Sequence, residues 1–103
     1  MRLIKSEFQA WLENKAKRNP YELFAKANNC AMCPIAVYLT RKFRVQRVRV
    51  GGSGVNWGFG SRPYKTTMAL PPWAREFIRT IDKKMGSEMI TVKHALEIAR
   101  LMQ

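Results

Sequence analysis

A chain of 103 residues, 47% hydrophobic and 25% charged, has room for one folded core and too much apolar material for a disordered segment. Its 19 Lys and Arg stand against 7 Asp and Glu, a formal net charge of +12 that opposes folding by self-repulsion. No apolar run nears the ~20 residues of a membrane-spanning helix. The opening Met1-Arg2-Leu3-Ile4-Lys5 is too short in apolar residues for a signal peptide. A cytoplasmic protein with no membrane partner is therefore expected, with its cysteines as thiols.

In chain order, Ser6 with Gln9 three residues on reads as a capping box, and Ile4, Phe8, Trp11 and Leu12 repeat at helical spacing. That helix fades in Lys15-Ala16-Lys17-Arg18, where cations favour a helix C-terminus. Asn19-Pro20-Tyr21-Glu22 carries a second helix-start signal, so a short helix ending by Asn28-Asn29 is expected. Cys33-Pro34 opens another helix through Phe43, with Ile35, Ala36, Tyr38, Leu39 and Phe43 as its buried stripe. Arg44 to Val50 reads as a strand that turns Val48 and Val50 to one face and Arg47 and Arg49 to the other. After a turn at Gly51-Gly52-Ser53-Gly54, the alternation of Val55, Trp57 and Phe59 predicts the returning strand. Residues 61–70 read as irregular, with a third edge strand around Lys65 to Ala69. Pro71-Pro72 starts a helix with an apolar stripe of Trp73, Phe77, Ile78, Ile81 and Met85 and a basic stripe of Arg75, Arg79 and Lys83; Gly86 ends it. Thr91 caps a last helix with Val92, Ala95, Leu96, Ala99 and Met102 facing the core. The expected class is α+β over a single domain, 1–103: N-terminal helices, a central antiparallel hairpin of two or three strands, and two C-terminal helices.

Between Arg41 and Lys65 lie seven basic residues (Arg41, Lys42, Arg44, Arg47, Arg49, Arg62 and Lys65) and no acidic one. Phe43, Trp57, Phe59 and Tyr64 are interleaved, together with five of the chain's six glycines. Phosphate recognition needs cations and open backbone amides, and base recognition needs flat apolar faces. The same residues also fit a solvated strand edge protected by its charges, with Trp57 and Phe59 in the core. Gly51-Gly52-Ser53-Gly54 is no Walker loop, because no Gly-Lys-Ser/Thr and no helix follow it.

Cys30-Ala31-Met32-Cys33 at a helix start admits three readings. A structural zinc site needs four ligands, whereas the chain holds two Cys and one His, His94. A redox pair lacks the surrounding βαβ pattern. Two buried structural thiols are favoured. Carboxylates are scattered and His94 has no inferable nucleophile near it, so neither enzyme activity nor a metal or cofactor is expected. The two C-terminal helices are separated by more residues than a helix-turn-helix usually allows.

Cys33-Pro34-Ile35-Ala36 followed by Tyr38-Leu39, the Leu70-Pro71-Pro72-Trp73 helix start and the closing Ile90-Thr91 with Ala95-Leu96 resemble a group of small uncharacterised bacterial and phage-borne proteins. In these, a Cys-Pro-Leu-Ala…Tyr-Leu segment follows an N-terminal helix. The resemblance implies an accessory protein of bacterial or phage type and brings no activity or site residues.

The expectation is thus a non-enzymatic nucleic-acid-binding accessory protein. Arg41, Lys42, Arg44, Arg47, Arg49, Arg62 and Lys65 would contact phosphates, with Trp57 and Tyr64 available for stacking. The alternatives are a small phage or accessory inhibitor docking on an acidic or nucleic-acid-binding host protein, and capture of a small nucleotide in a basic pocket.

Overall fold

The computed structural model of the chain describes residues 2–51, 54–59, 62–86 and 88–102, without the side chains at 46, 47, 59 and 62–67. Four helices and five strands follow in the order α1 (Lys5–Arg18), β1 (Leu23–Lys26), α2 (Pro34–Phe43), β2 (Gln46–Val50), β3 (Gly54–Phe59), β4 (Arg62–Ala69), α3 (Pro72–Met85), β5 (Met89–Thr91) and α4 (Val92–Leu101). The fold is α+β, with helices at both ends and an antiparallel three-stranded sheet, β2-β3-β4, between them. A second, two-stranded antiparallel sheet joins β1 to β5.

The core forms around α1, whose Phe8 is fully buried. Phe8 meets Tyr38 of α2 edge-on at 5.2 Å and Phe77 of α3 edge-on at 5.2 Å, and lies against Trp73 at 5.8 Å. One aromatic ring therefore ties three helices together, in the edge-to-face geometry that ring quadrupoles favour. The expected apolar stripes all point inward: Ile35, Ala36, Tyr38 and Leu39 on α2, Phe77 and Ile81 on α3, and Val92, Ala95, Leu96 and Ala99 on α4 are buried.

The start of α1 differs from the expected capping box. Ile4 is the N-cap, no side chain caps it, and Ser6 lies in the first turn. The Gln9 side-chain amide donates to Glu13 instead, at 3.1 Å. Burial of Leu3 and Phe8 carries the helix back past Ser6 without a polar cap.

The larger correction concerns Asn19 to Asn28, where a helix was expected and a turn and strand are found. The Asn19 side-chain carbonyl accepts from the Tyr21 amide at 3.1 Å, a local bond that draws the chain into a turn. The following carbonyls then serve a distant helix. The first N–H groups of any helix have no partner within it. Here Val92 N–H donates to the Glu22 carbonyl at 3.0 Å and Lys93 N–H to that of Pro20 at 2.8 Å. His94 N–H donates to the Thr91 side chain at 3.1 Å, as the expected cap requires. A helix over residues 20–28 would draw these carbonyls into its own ladder and leave the α4 donors unpaired.

Arg44 is not a strand residue but the left-handed C-cap of α2, with φ 53°. The third edge strand expected around Lys65 to Ala69 is present and longer, as the eight-residue β4 that starts at Arg62. The stretch between α3 and α4 contains the short strand β5.

Tyr38 is buried, and its hydroxyl has no hydrogen-bond partner among the described residues. Burial, then the Glu7 carboxylate, raises its pKa. A buried unpaired hydroxyl costs about 1–3 kcal/mol. Tyr38→Phe should therefore leave the urea-unfolding free energy unchanged or raise it by about 1 kcal/mol. A clear loss of stability in that variant would mean that the hydroxyl is paired in solution.

Candidate nucleic-acid interface

The basic segment is built on the hairpin formed by α2 and β2. The chain leaves α2 through Arg44 and returns along it, and Val50 N–H donates to the Cys30 carbonyl at 2.7 Å, which fastens the end of β2 to the start of α2. Arg41 and Lys42 in the last turn of α2, and Arg44 beyond it, are exposed at one end of this unit. Arg49 is exposed near the other, about 15 Å away along a ten-residue helix.

The two faces of β2 fall as alternation requires. Val48 and Val50 are buried while Arg49 faces outward, opposite Asn56 of β3. Gly51 N–H donates to the Gly54 carbonyl at 2.9 Å and closes the connection to β3. A side chain at Gly54 would stand 3.2 Å from the Met68 carbonyl of β4, so glycine there lets the third strand approach.

Trp57 is corrected. It is only 7% exposed and belongs to the core cluster, so its ring is not available to stack on a base. Alternation along β3 sends Val55 and Trp57 to the buried side together. The side chains of Arg47, Arg62, Tyr64 and Lys65 lie outside the described residues, although their backbone belongs to β2 and β4. Of the expected site residues, then, Arg41, Lys42, Arg44 and Arg49 are seen exposed and Trp57 is seen in the core.

Two further cations join the base of the hairpin. A cleft of about 210 Å³ is lined by Gly51, Leu70, Arg75, Ile78, Arg79 and Asp82. It adjoins a second of about 290 Å³, whose lining shares Gly51, Ile78 and Asp82 and adds Cys30 and Cys33. Arg75 and Arg79, exposed on α3, thereby come beside the turn that ends β2. Their spacing marks an exposed helix stripe, but nothing local in the sequence ties that stripe to the hairpin. Asp82 is the acidic residue lining both clefts, and its carboxylate accepts from the Asn28 backbone N–H at 2.9 Å. The Asn28 side chain in turn donates to the carbonyls of Asp82 and Gly86, holding the loop after β1 against the end of α3.

At the opposite end, the ion pair of Lys15 and Glu22 (2.9 Å) sits beside the basic group. The hydrogen bond from Lys15 holds the Glu22 carboxyl below its ordinary range against the opposing effect of burial, with the charges of Lys15, Arg41 and Arg18 adding to it. Lys15 is itself buried, with its ammonium over the rings of Trp11 and Phe24.

The two cysteines differ from the expected buried pair: Cys33 is buried but Cys30 is exposed. The Cys33 sulfur caps α2, accepting from Ala36 N–H at 3.5 Å. The Arg49 guanidinium donates to the Cys30 sulfur at 3.3 Å. Among the described residues no three His, Cys, Asp or Glu converge as a metal site.

Burial pushes the Cys33 thiol from 9.0 up to about 11, with the Asp82 charge adding to the rise and the helix amides opposing it. The folded protein thus prefers this thiol protonated. The stability this confers is whole below about pH 9 and is lost as pH rises towards about 11. Cys33→Ser keeps a capping oxygen and removes the titration. Between about pH 9 and about pH 11 the wild type should lose on the order of 2 kcal/mol more than this variant in urea unfolding. A difference that stays constant with pH would show that Cys33 ionises freely within the fold.

Compared with known proteins, the chain matches no family model, no curated protein and no solved structure.

Proposed function

We propose that the protein is a non-enzymatic nucleic-acid-binding protein that holds the phosphate backbone along the α2–β2 unit. The observation that carries this reading is the row of exposed cations, Arg41, Lys42 and Arg44 at one end and Arg49 at the other, in a segment without a carboxylate. Past the hairpin turn stand Arg75 and Arg79, the latter paired with Glu76 at 3.6 Å. With Trp57 in the core, the reading rests on phosphate contacts and not on base stacking by that ring.

The test is binding of labelled single- and double-stranded nucleic acid across a salt series. Affinity should fall with salt on a log–log plot, by about 0.9 per contact on duplex and about 0.7 on single strands. The triple variant Arg41→Gln, Lys42→Gln, Arg44→Gln changes exposed residues, so its stability should stay within about 1 kcal/mol of wild type. Its affinity should drop at least about tenfold and its salt slope should become shallower by about two to three. Absence of binding at low ionic strength, or binding indifferent to salt, would overturn the reading in favour of an acidic protein partner.

A further inference from the structure

Cys30 and Cys33 take no part in the polyanion reading, and their surroundings divide them by role. The Asn29 carbonyl accepts from Met32 N–H at 3.2 Å and Cys33 N–H at 2.9 Å, so residues 29–33 are wound as a single helical turn. Residues three apart on such a turn share a side, with Cβ atoms about 5–6 Å apart. Both cysteines line the same cleft of about 290 Å³. A disulfide needs Cβ atoms about 3.5–4.5 Å apart, so tightening this one turn by about 1–2 Å suffices to bridge them. An exposed sulfur beside a guanidinium is also the setting in which protein thiols exchange.

We propose that Cys30 and Cys33 form a thiol–disulfide exchange site, with Cys30 attacking a low-molecular-weight disulfide in the cleft and Cys33 closing the ring. In the first step the Cys30 sulfur, its proton lost to solvent, bonds to one sulfur of the external disulfide. The external S–S bond breaks, and the first thiolate leaves with the electron pair and takes up a proton. In the second step Cys33 gives up its proton, bonds to the Cys30 sulfur and expels the second thiolate. Two protein thiols are oxidised to one disulfide, and one external disulfide is reduced to two thiols.

The order of attack follows from access. Cys30 is exposed, whereas Cys33 is 3% exposed with its sulfur engaged by the Ala36 amide. Burial also keeps the Cys33 thiol protonated in the reduced protein. In the structure both cysteines are free thiols, the Cys33 sulfur held by the Ala36 amide and the Cys30 sulfur by Arg49. A guanidinium already donating to Cys30 suits exchange at that sulfur and opposes a metal cation there. None of this depends on nucleic-acid binding.

The test treats the full chain, native and at neutral pH, with oxidised glutathione, and follows intact mass after acid quenching. The wild type should pass through an adduct with one glutathione and end at the reduced mass less two hydrogens. Cys33→Ser should stop at the adduct, and Cys30→Ser should form no adduct while folded. Arg49→Gln should form the adduct several-fold more slowly. A native wild type that keeps both thiols, under conditions in which the urea-unfolded chain oxidises, would overturn the proposal. So would a wild-type adduct that never closes. Because the wild type alone decides both, a variant that failed to fold would leave the test intact.

Discussion

Everything in this fold depends on apolar burial holding together a chain whose charges push it apart. With a formal net charge of +12, the chain keeps most of its described cations at the surface, Lys15 being buried, and packs most of its rings inside, Tyr21 being exposed. Phe8 is where that constraint is met most directly: α1, α2 and α3 each place an aromatic side chain within ring contact of it or next to it. Truncating such a ring typically costs about 3–5 kcal/mol, a large share of the stability of a domain this small. The remaining helix, α4, packs on α1 and α3, so it shares the same core.

The β1–β5 pair acts as the joint between the two ends of the chain. Its energetic logic lies in backbone groups more than in side chains. The turn at Pro20–Glu22 supplies acceptors that α4 lacks at its N-terminus, and Ala27 N–H donates to the Glu88 carbonyl at 3.1 Å at the other end of the pair. Lys15 and Glu22 brace the same joint from α1, with the aliphatic stem of Lys15 buried and its charge over Trp11 and Phe24. On the outer side, the Lys93 ammonium lies over the ring of the exposed Tyr21, 5.7 Å from its centroid.

The same separation of core from charge shapes the surface chemistry. Among the described side chains of strand β2, the valines face inward and Arg49 outward, so the Arg49 charge carries no burial penalty. Arg49 also links two features that are nineteen residues apart in the chain, the basic strand and Cys30. The clefts at the base of the hairpin bring α3 cations, the loop after β1 and both cysteines to one end of the sheet. Asn28, in the left-handed region at φ 54° and bonded to the end of α3, holds that loop in place.

By itself the sequence determined the elements whose signals are local. The apolar stripes of α2, α3 and α4, the Cys33-Pro34 and Thr91 starts, the Gly86 stop and the alternation through β2 and β3 are all written in neighbouring residues, and each was legible. Arg49 was legible for the same reason, since outward charge next to inward valine is a period-two pattern, while Arg41, Lys42 and Arg44 were legible as a run of cations at the end of α2. Tertiary structure decided the rest. Asn19-Pro20 has a helix-start composition, yet its segment becomes a strand because residues some seventy positions later need its carbonyls. Trp57 is as suited to a base as to a core, and only the closed sheet decides for the core. Cys30 and Cys33 share one motif but not one environment, because Arg49 and the cleft reach Cys30 from outside while α2 buries Cys33. Local propensity amounts to tenths of a kcal/mol per residue, and a buried ring or an unpaired backbone donor to several times more, so where the two disagree the distant contact prevails.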